Sequence, residues 1–215
     1  MSRALPYVCT ALFIVAGCGG SPADAAGSAT EAATTTAPGY TWPLPAQGWF
    51  RDDYDFPLVF APALPYRGHE ELHQLDGFGT PTSPEFWSYA FLWWVEGHVR
   101  VTRRSLESDL ITYYKGLCDT FGAPDIACGA QAFAARVTPL GRLPLGGRAV
   151  DLFAADVDAI DPFFTGKPLA LHLFIGAAAC PRAQHTALLF TASTQPLGAA
   201  PWSALVEQAL QFKCE

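Results

Sequence analysis

Hydrophobic patterning along the chain predicts an α+β domain in which two main helices pack on an antiparallel sheet. Three observations lead there. Four stretches of strand character follow one another in the C-terminal half, with turn residues between them. Two segments have helical period, one in the middle of the chain and one at its end. An aromatic run, Phe86 to Val95, is too dense in rings for an exposed helix and suits a buried strand.

Taken in order, Phe56-Pro57-Leu58-Val59-Phe60 reads as a short strand that Pro57 confines to an edge or a strand start. After the aromatic run, Glu96-Gly97-His98 reads as a turn into Val99 and Val101. Thr102 is placed as the N-cap of a helix carrying Leu106, Leu110, Tyr113, Tyr114 and Leu117 on one face, with Gly116 near its end. Phe133, Ala135 and Val137 alternate as a strand, and Gly146-Gly147 marks a bend into a second strand over Val150 to Val157. Leu169, Leu171, Leu173 and Ile175 alternate in the next strand, Cys180-Pro181-Arg182 ends it, and Thr186 to Thr194 returns. Pro201 occupies a first helical position before the apolar face of Trp202, Leu205, Val206, Ala209, Leu210 and Phe212. This order of elements resembles the PsbP-like fold, an alpha-beta sandwich, and the resemblance implies an accessory or scaffolding role. The stretch Pro84-Glu85-Phe86-Trp87-Ser88-Tyr89 resembles segments of exported bacterial proteins without an assigned function.

The composition sets limits on function. Half of the 215 residues are hydrophobic and 15% are charged, enough apolar material for one core and too little charge for a disordered chain. A net charge of −7 argues against nucleic acid as a partner and against a polybasic membrane-surface patch.

Residues 1–17 read as an export signal. Arg3 supplies the positive start, and the apolar stretch Leu5 to Ala16 is shorter than the roughly 20 residues a membrane span needs. Val15-Ala16-Gly17-Cys18 resembles the lipobox of bacterial lipoproteins. That resemblance implies cleavage before Cys18, a thioether-linked diacylglycerol on its sulfur, and N-acylation afterwards. Two or three acyl chains, at about 0.8 kcal/mol per buried methylene, hold a protein to a bilayer where one chain does not. Gly19, where an aspartate favours inner-membrane retention, points to the outer membrane. Residues 18–39 are rich in Ala, Thr, Ser, Gly and Pro and read as a tether; the composition turns aromatic at Tyr40, so a single domain is expected over 40–215.

Four cysteines then remain, Cys118, Cys128, Cys180 and Cys214, an even number in an exported domain. Three pairings are open. The favoured one joins Cys118 to Cys128 and Cys180 to Cys214, which loop-closure estimates put at roughly 3 and 4 kcal/mol. A metal site built from all four is the rival, but no C-x-x-C spacing supports it.

His69-Glu70-Glu71-Leu72-His73 matches H-E-x-x-H. On a helix this pattern sets two imidazoles on one face to bind zinc, with Glu70 as general base toward the metal-bound water. The surroundings oppose a helix: Pro62, Pro65 and Gly68 precede the motif, and Gly77, Gly79 and Pro81 follow it. The third-histidine position of the metzincins is Gly79, and the acids available as a distant ligand, Glu85 and Glu96, flank the aromatic strand. The competing expectation is a polar, exposed segment beside an edge strand, whose histidines can be replaced at a cost under about 0.5 kcal/mol each. Asp151, Asp156, Asp158 and Asp161 lack the spacing of a calcium loop and read as a solvated acidic run. His172 is expected on the surface, and the six tryptophans are expected mainly in the core, with a glycan or peptide groove as the alternative. Nucleophile-elbow, P-loop and dinucleotide motifs are absent from the sequence.

The sequence therefore leads to an exported lipoprotein, anchored in the outer membrane and facing the periplasm. Its domain is expected to need no cofactor and to bind a protein, glycan or other envelope component, with a zinc-dependent hydrolase using His69, Glu70 and His73 as the alternative. Replacing Cys18 by Ala is expected to release the protein from membranes into a soluble pool. Retention of that variant in the membrane fraction after a high-salt wash would refute the anchor.

Overall fold

The aromatic run forms the middle of the sheet because rings there are buried from both sides. In the computed structural model, which describes residues 39–145 and 148–214, the elements in chain order are β1 (Tyr40–Thr41), β2 (Trp49–Asp55), β3 (Gly68–Leu75), β4 (Tyr89–Glu96), α1 (Arg103–Phe121), β5 (Ala134–Leu145), β6 (Arg148–Ile160), β7 (Pro168–Cys180), β8 (His185–Ser193), α2 (Ala200–Leu210) and β9 (Lys213–Cys214). Seven strands make one antiparallel sheet in the order β2-β3-β4-β8-β7-β6-β5, and β1 pairs with β9 in a separate two-stranded ribbon. The α+β class with two helices is as expected.

Successive side chains on a strand point to opposite faces. On β4, Phe91, Trp93 and Val95 join the core beneath α1, where Leu106, Leu110, Tyr113, Tyr114 and Leu117 meet them. Ala90, Leu92 and Trp94 point the other way, to Tyr40 and Trp42 and the Cys180 and Cys214 side chains. Farther along that second face, Trp202 and Leu205 of α2 pack with Leu75. The sheet thus has a helix on each face. Phe91 stacks on Phe190 with ring centroids 4.3 Å apart, and burying rings of this size contributes roughly 1.5–3 kcal/mol each.

Thr102 caps α1 as expected: its hydroxyl accepts from the Ser105 amide at 3.1 Å, and the Ser105 hydroxyl accepts from the Thr102 amide at 3.0 Å. Gly116 lies inside this helix instead of at its end. A Cβ there would fall 2.0 Å from the Phe60 carbonyl oxygen, so the glycine permits close packing of the preceding loop. The alternating face of Leu169, Leu171, Leu173 and Ile175 is buried along β7 as predicted.

Several boundaries differ. Phe56 to Phe60 is no strand but a loop opening on a cis Phe56–Pro57 bond; Phe56, Leu58 and Phe60 still reach the core, while Val59 is exposed. The two strands beside it, β2 and β3, escaped the pattern because one is charged and mostly exposed and the other carries buried polar residues. The aromatic strand starts only at Tyr89, since Trp87 adopts a left-handed φ of 51°. Val99 and Val101 run directly into α1 without forming a strand. Gly146 and Gly147 lie outside the described residues, as do Cys18 and the whole of 1–38.

Both disulfides form in the favoured pairing, Cys118–Cys128 with Cα atoms 5.7 Å apart and Cys180–Cys214 at 5.9 Å. The second ties the end of β7 to β9 and so holds the short ribbon against the sheet. Alkylating the purified, unreduced protein is expected to label none of the four; free thiols at Cys180 and Cys214 would contradict that tie.

Candidate functional site

The His69–His73 stretch lies on β3, between β2 and β4, and this overturns the expectation of an exposed segment. Glu70 and His73 are 0% exposed and Glu71 is 1% exposed. Strand geometry also takes apart the zinc-hydrolase arrangement. Alternation puts His69, Glu71 and His73 on the α2 face and Glu70 on the α1 face. A rise of about 3.3 Å per residue leaves the two histidine Cα atoms roughly 13 Å apart, where a helix would set them one turn apart. Among the described residues no group of three or more His, Cys, Asp or Glu is placed to hold a metal ion.

Burying this much polarity requires partners, and they arrive from distant parts of the chain. Gln208 of α2 donates from Nε2 to the Pro43 carbonyl at 2.9 Å and to His73 Nδ1 at 2.7 Å. An Nδ1 that accepts leaves the proton on Nε2, which donates to Glu71 Oε1 at 2.7 Å. Tyr40 donates its hydroxyl to Glu71 Oε2 at 2.5 Å, and its oxygen accepts from His69 Nε2 at 2.6 Å. The Arg51 guanidinium, 3.3 Å from Glu71 Oε2, brings a positive charge to the carboxylate. Trp42 lies flat over His73 with centroids 3.9 Å apart and donates from Nε1 to the Gln208 carbonyl at 2.8 Å. The result is a continuous chain, His69–Tyr40–Glu71–His73–Gln208, roofed by aromatic rings.

Burial pushes the Tyr40 phenol well above its ordinary value, with the Glu71 hydrogen bond adding to the shift, so Tyr40 acts as a donor and not as a base. Burial lowers the His69 imidazole against the pull of Glu71, Asp53 and Asp55. Both nitrogens of His73 are occupied, and its ring is sealed from solvent. The arrangement fastens the start of the domain to the sheet.

On the opposite face Glu70 accepts from Trp93 Nε1 at 2.6 Å and from the Tyr113 hydroxyl at 2.9 Å. Among the described residues no cation accompanies these neutral donors, and burial pushes the Glu70 carboxyl up to about 8 despite both hydrogen bonds. Nearby, Tyr66 donates to Asp109 Oδ2 at 2.5 Å, and burial raises that carboxyl too.

Next to Gln208 the surface opens into a groove of about 400 Å³, lined by Pro43, Pro45 and Trp49 and by Glu207, Gln208 and Gln211 of α2 and its end. Trp49 is thus the tryptophan at a groove, whereas Trp42, Trp87, Trp93, Trp94 and Trp202 are buried. The acidic run does not gather into a site. Asp151 pairs with Arg142, Asp156 pairs with His172 at 2.7 Å, and Asp158 sits exposed on β6. Asp161, expected to be solvated, is buried and accepts from the amides of Phe163, Phe164 and Thr165 at a turn. Glu85 accepts from the Gly77 amide, and Glu96 is exposed at the end of β4.

Sequence reasoning missed Tyr40, Trp42, Arg51 and Gln208 as partners. The one local signal was the two-residue spacing of His69, Glu71 and His73, which fits a strand as well as the helical motif does.

Because the folded Glu70 is protonated up to about pH 8 while an unfolded glutamate ionises near 4.5, its contribution is fully present below pH 4.5 and is lost as pH rises toward 8. Denaturant titrations at pH 5 and pH 8 are expected to show wild type losing stability relative to Glu70→Gln over that interval. A constant difference between the two proteins would contradict the assignment. No protein-family model matches the chain, and no curated protein matches it significantly.

Proposed function

We propose that the protein is an exported lipoprotein, held to the outer membrane through acylated Cys18 and facing the periplasm. Its domain binds a protein or another envelope component and performs no catalysis. The observation that carries the second part is the saturation of the β3 polar groups. Each titratable side chain of the former zinc motif is engaged by a neighbour in the same chain: Tyr40 meets His69 and Glu71, Trp42 and Gln208 meet His73, and Trp93 and Tyr113 meet Glu70 on the other face. The paired cysteines support the address, since disulfides persist in oxidising compartments such as the periplasm. A helix on each face of an antiparallel sheet, with a helix near the C-terminus, supports the finer PsbP-like reading, although such a fold hosts many roles. The groove beside α2, lined by Trp49 and prolines together with Glu207, Gln208 and Gln211, suits a ligand of mixed polarity such as a peptide or a glycan.

Protein purified without added metal is expected to contain less than stoichiometric zinc. His73→Ala is expected to lower stability by about 1–3 kcal/mol whether or not zinc is supplied, because it strands Glu71 and Gln208 without a partner. One zinc per chain, lost together with a hydrolytic activity in His69→Ala/His73→Ala, would overturn the proposal in favour of the metal enzyme.

A further inference from the structure

The two ends of the sheet differ in a way the composition hides. One end collects the close of β2 at Asp55, the start of β3 at Gly68, the close of β4 at Glu96, the β7–β8 turn between Cys180 and His185, and the β5–β6 turn between Leu145 and Arg148. The chain also enters the domain here. Tyr40 pairs with Cys214, which the disulfide holds to Cys180, and Arg148 donates to the Cys214 carbonyl. In the lipoprotein reading, only the 20 residues between Cys18 and Gly39 join the anchor to this end of the domain.

Positive charge gathers at the same end. Arg67, Arg100, Arg103, Arg104, Arg182 and Lys213 sit in its loops, in the first turn of α1 and on β9; all six are exposed, and none forms an ion pair among the described residues. Among the described residues the acids there are fewer: Asp55, Glu96, Glu107, which accepts from the Val137 amide, and Asp151, which Arg142 neutralises. Arg103 and Arg104 are informative. The first turn of a helix disfavours cations, and no acid sits there to offset them, so these two arginines oppose the stability of α1.

Apolar surface lies beside the charge. Leu143 and Leu145 are 50% and 40% exposed near the tip of the β5–β6 hairpin. Leu143 pairs with Val150, and the Val150 and Leu152 side chains flank Gly176. Phe174, two residues before Gly176 and on the same face, meets Trp202. The leucines therefore lie on the α2 face, the same side of the sheet as β9 and the incoming chain.

We propose that this end of the sheet is a membrane-facing pole that docks on an anionic bilayer, with the cationic loops meeting lipid phosphates and the hairpin leucines entering the interface. Charge complementarity and the point where the chain enters single out the bilayer among occupants. The choice of bilayer rests on the lipoprotein reading, so the test removes the acyl group. The mature chain with Cys18→Ser is pelleted with vesicles of phosphatidylethanolamine and phosphatidylglycerol, and separately with vesicles of phosphatidylcholine. Binding to the anionic vesicles alone is expected, weakening as salt exceeds about 0.15 M. Arg103→Gln and Arg104→Gln are each expected to lower the partition coefficient about five-fold, and Leu143→Asn/Leu145→Asn about ten-fold. Lys167→Gln, at the opposite end, is expected to leave it unchanged. Equal partition into both vesicle types, or no partition, would overturn the proposal. A dimer in sedimentation that Leu143→Asn/Leu145→Asn abolishes would overturn it too, by assigning the patch to a second copy. Because the vesicle assay uses unacylated protein and the Cys18→Ala fractionation reads the anchor in cells, failure of one is distinguishable from failure of the other.

Discussion

A carboxylate on an interior strand must be met by donors, and Glu71 imposes that demand on the whole α2 face of the sheet. Its oxygens are reached from β1 by Tyr40, from β2 by Arg51 and from β3 itself by His73. His73 in turn needs a donor at Nδ1, which Gln208 supplies from α2. The β1–β9 ribbon has two residues per strand, too few to be stable alone. The polar chain and the Cys180–Cys214 disulfide hold it in place. Removing one partner would leave the others buried without a hydrogen bond, which is why the network is costly to break although each bond contributes little on its own.

Glu70 and Glu71 are adjacent in sequence and lie in different environments because β3 is covered on both sides. Glu71 meets a guanidinium at the margin of the domain. Glu70 meets only the neutral donors Trp93 and Tyr113 within the aromatic core, and burial moves its ionisation toward neutrality. The two faces do different jobs. The α1 face carries most of the apolar burial, and the α2 face fastens the start of the chain to the sheet.

That fastening bears on function. The proposed anchor would join the domain at its first described residues, and these are held by hydrogen bonds, ring contacts and a disulfide at the cationic end of the sheet. The groove beside Trp49 and α2 opens near the other end of β2 and β3, where Trp49 pairs with Leu75. A pole turned to the bilayer would leave that groove facing away from it and open to an envelope ligand.

The elements legible in the sequence are those whose environment is uniform along their length. The α1 face, the β7 alternation and the Thr102 cap follow from local periodicity and local hydrogen bonding, so the helices and the C-terminal meander were readable from the order of residues within short windows. The reading of residues 1–17 as an export signal and the lipobox resemblance likewise rest on the sequence by itself. The tertiary structure decided the rest. His69 to His73 satisfies a helical motif and a strand alternation equally well, and the choice belongs to Tyr40 and Gln208, 31 residues from Glu71 and 135 from His73 respectively. Net charge could not show that cations collect at one end, because a sum discards position. Polar burial and charge placement are set by partners remote in sequence, and no local window contains them.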